Sequence, residues 1–339
     1  MVKVLASGRL DAAWVERFAA AYDFTYVEWD DASQPAAPGA LIALIGDNEV
    51  LITEAENVGR SVLESCPKLV AIVDTRAAPV NVDIAAATER GVVVINTPGR
   101  NAEAVGDLTV ALMVMVARDV WPAILGMRNG TWKREGQLAN YLAHQGVELP
   151  GKTVGLVALG ATGRAVAKRL AGFDVRLIAY DPFATPEAAA ALGIELVDLD
   201  TLLATSDFVS LHAPVTAQTK GMIGARELAL MKPSAFLVNV ARAALVDQDA
   251  MLASLQARRI AGAALDVYDP EPLPDDHPLY ALDNVFLVPH LGGASREVAD
   301  HQSQLAWDGL AAFINGRAFN VVNPAAFDRA HARLGNRAG

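Results

Sequence analysis

Short apolar runs alternate with stretches of helical spacing through the first hundred residues. Residues 2–6, 41–45, 69–73 and 92–95 are runs of four or five largely apolar positions, the pattern of strands buried in a sheet. Between them, residues 11–21, 54–65 and 83–90 read as helices. Thr53 followed by Glu56 has the pattern of a capping box at the start of the second helix, and Gly91 is placed to stop the third. Residues 32–39, with Pro35 and Pro38, are expected to form a loop. Strands and helices alternating in this way predict a parallel sheet covered by helices on both faces.

Asn96-Thr97-Pro98-Gly99 interrupts the pattern, and a long apolar helix is expected from about 102 to 117. A domain boundary therefore falls near Asn101. The next domain is organised around residues 153–181. Val154, Leu156 and Val157 suit a buried strand, Gly160 and Gly163 break it, and Ala165, Val166, Arg169 and Leu170 continue at helical spacing. A second apolar run, 175–180, closes on Asp181. Strand, glycine turn, helix and acid-terminated strand make a dinucleotide-binding βαβ unit. The glycines let backbone approach a pyrophosphate at the helix N-terminus, and the acid accepts hydrogen bonds from ribose hydroxyls. The usual G-x-G-x-x-G is altered here to Ala158-Leu159-Gly160-Ala161-Thr162-Gly163. The lost glycine serves the tight turn, while the two retained ones serve pyrophosphate approach and helix packing. Gly155 and Gly160 also have P-loop spacing, but Ala161 stands where that motif needs Lys, which argues against a nucleoside triphosphatase. An ordinary βαβ unit without ligand is the competing reading of this stretch.

Further strands are expected at 208–212, 235–239, 262–266 and 285–288, with 269–278 as a Pro- and Asp-rich loop and a helix over about 295–315. The fold class is α/β: two doubly wound parallel-sheet domains, Rossmann-like and flavodoxin-like. At 339 residues the length suits about two domains. A net charge of −11 and a pI near 5.0 work against nucleic acid or an anionic membrane as partner. The longest mostly apolar stretch, 108–117, is too short to span a bilayer, and residues 2–9 do not read as a signal peptide. A single cysteine, Cys66, allows no intrachain disulfide and fits a reducing cytoplasm. No metal site is expected.

Three polar residues fall at the ends of apolar strands, where an open α/β sheet collects its ligands: Arg242, Glu271 and His290. Each alone has an ordinary structural explanation, as a surface charge, an acidic loop residue and a satisfied histidine. As a set they supply a proton-exchanging imidazole, a carboxylate to orient it and a planar fork for a substrate carboxylate.

At these residues the chain resembles the D-isomer-specific 2-hydroxyacid dehydrogenases, the group that includes phosphoglycerate, glycerate and hydroxypyruvate enzymes. The likeness rests on Asn96-Thr97-Pro98-Gly99, the fingerprint ending in Tyr180-Asp181-Pro182, Asn239-Val240-Ala241-Arg242 running to Leu245-Val246-Asp247, Ala264-Leu265-Asp266-Val267-Tyr268, Glu271-Pro272-Leu273 and Pro289-His290-Leu291-Gly292-Gly293. The resemblance implies that His290 exchanges the hydroxyl proton, Glu271 orients it, and Arg242 grips the substrate carboxylate. It implies NAD as cofactor, held by Gly160, Ala161, Thr162, Gly163, Asp181, Val240, Ala241, Asp266, Gly292 and Gly293, with Asp266 on the nicotinamide carboxamide. Asp181 and the absence of Arg in Pro182-Phe183 favour NAD over NADP. It also implies a substrate domain of 1–101 completed by 296–339, an NAD-binding domain of 102–295, a cleft between them, a homodimer through the NAD-binding domains, and no regulatory extension.

The likeness has departures. The turn expected to cradle the substrate carboxylate reads Arg76-Ala77-Ala78-Pro79 where relatives are glycine-rich, and Ala243 stands where a glycine commonly follows the arginine. With Ala158 these form a glycine-to-alanine trend, comfortable at negative φ and not at positive φ. Arg76 is a candidate second cation for a substrate bearing a phosphate or extra carboxylate, and Arg100 a weaker one. Two other readings compete: an NAD-sensing binding protein similar to the corepressors called C-terminal binding proteins, and formate dehydrogenase, which pairs its histidine with glutamine.

Overall fold

The structure is a computed structural model that describes residues 1–28 and 35–335. The chain divides into two compact units, 1–101 with 295–339 and 102–294.

In the first unit, β1 (Lys3–Ala6), β2 (Asp23–Tyr26), β3 (Val50–Thr53), β4 (Ala71–Asp74) and β5 (Val93–Asn96) form one parallel sheet in the order β2-β1-β3-β4-β5. The central strands are buried along their length, so they read as continuous apolar runs. The segment 41–45 is not a strand. It lies in the helix Pro38–Ile45, with proline at its start and Leu41 and Ile45, four apart, both fully buried. Pro38 and Gly39 are therefore helical rather than loop, while residues 32–34 of the expected loop lie outside the described residues. An apolar run of five cannot separate strand from helix by periodicity, and the helix spacing wins here. The helix expected over 54–65 is only Arg60–Ser65. Thr53 closes β3, and the Glu56 carboxylate accepts from the Ala36 amide at 2.7 Å instead of completing a capping box.

The helix Glu297–Ile314 belongs to this unit. Val298, Gln302, Ala306, Leu310 and Phe313 form its buried stripe. A Cβ on Gly309 would stand 2.7 Å from the Ile95 side chain, so glycine lets the helix lie directly on β5. The buried Asn323 then ties the returning chain to the sheet, accepting from Val94 N at 2.8 Å and donating to Val92 O at 3.0 Å.

In the second unit, β6 (Thr153–Val157), β7 (Arg176–Tyr180), β8 (Glu195–Leu196), β9 (Phe208–Leu211), β10 (Phe236–Asn239), β11 (Gly262–Leu265) and β12 (Val285–Leu287) form a parallel sheet ordered β12-β11-β10-β9-β6-β7-β8. The strand order reverses between β6 and β9, which makes a crevice at the carboxyl ends of those strands. The helix Ala102–Ala117 packs on the helix Ala161–Leu170. A Cβ on Gly106 would sit 3.1 Å from the Ala165 Cβ, and Arg169 pairs with Glu103 at 2.7 Å across the contact. Three helices not foreseen from the sequence, Val120–Arg128, Thr131–Glu135 and Gln137–Ala143, precede β6. Among the described residues no single helix is long and apolar enough to cross a membrane.

Candidate active site

The fingerprint turn follows β6. Ala158 adopts φ +78°, a conformation that suits glycine, and its amide donates to Tyr180 O at 2.8 Å. Gly163 is obligatory for space: a Cβ there would lie 2.2 Å from the Ala158 carbonyl oxygen. The helix Ala161–Leu170 starts at Gly160 with no side-chain cap, and nothing occupies the space beside Gly160. Its first amides are thus open to a ligand, and an uncapped helix start of this kind fits the diphosphate of a dinucleotide. The fit holds on geometry alone.

Asp181, just past β7, braces the same turn. One carboxylate oxygen accepts from Leu159 N at 2.8 Å and the other from Phe183 N at 2.8 Å. The acid therefore fixes the shape of the loop as well as standing at the strand exit where ribose hydroxyls are met.

His290 follows β12 at φ +53°, an uncommon conformation for a side chain with a Cβ, and residues held this way concentrate at functional sites. Its Nδ1 lies 2.7 Å from Glu271 Oε2, and the other oxygen of Glu271 accepts from Tyr268 N at 2.8 Å. Burial pushes the Glu271 carboxyl up. The Tyr268 amide, the His290 bond and charge, and the nearby Arg242 outweigh burial and hold it below the usual carboxylate range. Glu271 is therefore ionised at neutral pH and accepts Nδ1–H. Tyr268 anchors the segment in turn, its single hydroxyl proton shared between Leu265 O and Val288 O, each at 2.8 Å.

Asp266 is wholly buried after β11 and accepts from Leu291 N and Gly292 N, the two amides after His290. Burial raises its carboxyl, and those two hydrogen bonds oppose the rise. A Cβ on Gly292 would come within 2.9 Å of an Asp266 oxygen, so glycine is what lets the loop close on the acid. Gly293 follows in the same loop.

Arg242 leaves β10 in extended conformation, exposed, with one guanidinium nitrogen donating to Ala241 O at 2.6 Å. Asn239 shapes this exit by accepting from Ala241 N at 3.1 Å and donating to Arg242 O at 3.0 Å, with Val240 buried between them. Ala243 opens a 3₁₀ turn and is absent from the positive-φ residues, as are Ala77 and Ala78. Of the alanines in the glycine-to-alanine trend, only Ala158 carries conformational strain.

His212 was not singled out from the sequence. It follows β9, and both ring nitrogens are buried without a partner. Burial depresses its pKa to about 4, so the ring is neutral. Its Cβ stands 3.9 Å from where a Gly163 Cβ would project. The usable signal was position, since it is a polar residue at a strand exit like Arg242 and His290. In the first unit, Arg76 is partly exposed and Ala77 and Ala78 are exposed after β4. Arg100 is not free for a ligand, because it pairs with Glu54 at 2.8 Å and contacts Gln302.

A cavity of about 590 Å³ lies against the Glu271–His290 pair, walled by Tyr268, Leu273, Tyr280 and Leu287. A second, of about 470 Å³, lies at the strand entries beside Trp121, His144, Phe236 and Phe286, and no residue of the pair lines it. The first borders the exits of β11 and β12, and neither Arg242 nor the fingerprint turn lines it.

A family model described as "D-isomer specific 2-hydroxyacid dehydrogenase, NAD binding domain" matches residues 110–292. A glyoxylate reductase of Thermococcus litoralis is 41% identical over 297 residues, covering 87% of this chain and 89% of that protein. The chain belongs to this family. It is an NAD-using oxidoreductase of the D-2-hydroxyacid dehydrogenase group, in keeping with the resemblance seen in its sequence motifs. A D-3-phosphoglycerate dehydrogenase of Methanocaldococcus jannaschii is 37% identical over 286 residues, 84% of this chain, which spans about half, 53%, of that relative. Among solved structures, the TT0316 protein from Thermus thermophilus matches with a TM-score of 0.80 at 34% identity, over 94% of this chain and 99% of that one.

Proposed function

We propose that this dehydrogenase interconverts a D-2-hydroxy acid and its 2-oxo acid with His290 as acid and base, Glu271 as the group that orients it and Arg242 as the carboxylate clamp. The supporting observation is the 2.7 Å contact between His290 Nδ1 and an ionised Glu271. With Nδ1–H committed to the carboxylate, Nε2 is the atom left to exchange a proton. In the oxidising direction Nε2 takes the hydroxyl proton, and in the reducing direction the imidazolium returns it to the carbonyl oxygen. NAD, when bound, supplies the hydride acceptor. The negative charge of Glu271 stabilises the imidazolium that forms, and the free edge of the Arg242 fork meets the substrate carboxylate. Help from a positioned acid and base is worth about 10²–10⁴ in rate.

Residues that would hold NAD are the amides at Gly160 to Gly163 on the pyrophosphate, Asp181 on the ribose, and Val240, Ala241, Asp266, Gly292 and Gly293 at the nicotinamide end. Asp181 repels a 2′-phosphate, so NADH is expected to bind more tightly than NADPH. On the first unit taken by itself, we read the Ala77 and Ala78 amides with Arg76 as a seat for a carboxylate. A homodimer through the second unit is supported by the helices Val120–Arg128, Thr131–Glu135 and Gln137–Ala143. They bury only Gly126 and leave Trp121, Met127, Trp132, Leu138 and Tyr141 exposed.

The test is NADH consumption across a panel of 2-oxo acids that includes glyoxylate, hydroxypyruvate and phosphorylated members. Turnover on at least one is expected. Silence across the panel with intact NADH binding favours a nucleotide sensor instead.

A further inference from the structure

Asp74 closes β4 directly beneath the turn Arg76-Ala77-Ala78, and it is fully buried. One carboxyl oxygen accepts from Arg76 N at 2.9 Å; the other is buried outside hydrogen-bond geometry, with the Asn81 side chain as its polar neighbour. The turn itself is held by its carbonyls: Arg76 O accepts from Thr97 N at 3.0 Å, and Ala77 O accepts from the Asn96 side chain at 2.6 Å. Among the described residues no hydrogen bond occupies the amides of Ala77 and Ala78. Two amides without a protein partner, three and four residues past a buried acid, are an arrangement in which an arriving anion and an ionised carboxyl would repel across one turn of chain.

We propose that Asp74 is a positioning residue that must carry a proton when an anionic substrate sits on the Ala77 and Ala78 amides, so that substrate binding is coupled to proton uptake at Asp74. The proposal rests on the reading of that turn as the carboxylate seat. A neutral Asp74 still accepts from Arg76 N through its bonded oxygen, keeps the turn in place, and removes a buried charge that its neighbours only partly offset. It also leaves the partly exposed Arg76 guanidinium available to the substrate rather than to Asp74.

The charged groups acting on Asp74 come from two elements. Arg76, on the turn itself, favours the ionised form, and Glu54, just past β3, opposes it. Glu54 is tied to Arg100 at 2.8 Å. The facing residues in register, Thr53 on β3 and Asn96 on β5, carry no charge, nor does Asn81, whose side chain also favours the ionised form. Burial dominates, and the carboxyl is pushed up to about 7. Above that pH the proton must be taken from solvent as the anion binds, and affinity falls by up to about tenfold per pH unit.

The experiment follows oxamate binding to the enzyme–NADH complex by calorimetry from pH 6 to 9, in buffers of differing ionisation enthalpy, for wild type and D74N. It is paired with KM for glyoxylate over the same range. His290 contributes equally to both proteins, so the difference isolates Asp74. Wild type is expected to take up about one proton more per oxamate than D74N near pH 8. Its KM should climb by up to about 10²-fold more than that of D74N between pH 6 and 9. Identical proton uptake and parallel KM curves in the two proteins overturn the proposal. If D74N folds poorly, wild-type uptake that does not exceed what a single titrating histidine supplies overturns it equally. An Ala78→Pro variant, which removes one amide of the seat, separates the two levels of inference. Unchanged KM in Ala78→Pro rejects the seat itself, whereas raised KM there with no Asp74 effect rejects only the proton coupling.

Discussion

Replacing Ala158 with glycine is expected to make the second unit more stable. Ala158 is held at φ +78° because its amide is committed to Tyr180 O at 2.8 Å, and the next amide, Leu159, is committed to Asp181 at 2.8 Å. An L residue in left-handed backbone costs about 1–2 kcal/mol, and glycine removes that cost. Glycine also loosens the unfolded chain, which takes back about 0.4–1 kcal/mol. A net gain of about 0.5–1 kcal/mol remains, or roughly 1–4 °C in Tm for a unit of about 190 residues. Ala243 provides the opposite control. It is buried in a 3₁₀ turn at negative φ, so Ala243→Gly should lose about 0.5–1 kcal/mol or more. Thermal melts of the two variants beside wild type decide the matter. A lower Tm for A158G, or a raised one for A243G, refutes the assignment of strain to a single alanine.

Other outcomes follow from the same geometry. Glu271→Gln keeps an acceptor for Tyr268 N but loses the charge beside His290, so kcat should fall about 10²-fold or more and the alkaline limit of 2-oxo acid reduction should move to lower pH. An unchanged profile in steady-state assays would reject the pairing. Asp181→Ala removes acceptors from Leu159 N and Phe183 N, and titration should show weaker NADH binding, a narrowed gap between NADH and NADPH, and a lower Tm. Asp74 has a stability signature as well. Its carboxyl rises from 3.8 unfolded to about 7 folded, so the folded state binds more protons between those values and wild-type stability is lost as pH rises from 4 to 7. The gain of D74N over wild type in denaturant unfolding should therefore widen across that range, by at most about 4 kcal/mol, and level off above pH 7.

Much of the second unit was legible because its signals are local. The glycine turn, the acid ending β7 and the polar residues ending β10 and β12 each sit within a few residues of an apolar run, and strand exits are where such a sheet collects ligands. The first unit was less legible. Residues 41–45 and 50–53 are both short apolar runs, and only burial on both faces distinguishes the strand from the helix. Asp266 shows the limit for side chains. Its place after β11 was evident, but its bonds to Leu291 N and Gly292 N join segments 25 and 26 residues apart that no local pattern connects. Asp74 was hidden for the same reason, since its burial comes from the strands on either side and not from its neighbours in sequence.

The most direct measurement of the central claim is single-turnover reduction of a 2-oxo acid found active in the panel, by His290→Ala beside wild type, with NADH affinity measured on the same samples. His290 meets Glu271 at 2.7 Å and is not among the residues proposed to hold NAD, so the variant should bind NADH within about twofold of wild type and lose about 10²–10⁴ in the hydride-transfer rate. Turnover close to wild type would contradict the account, and so would a loss of rate that only tracks a loss of NADH affinity.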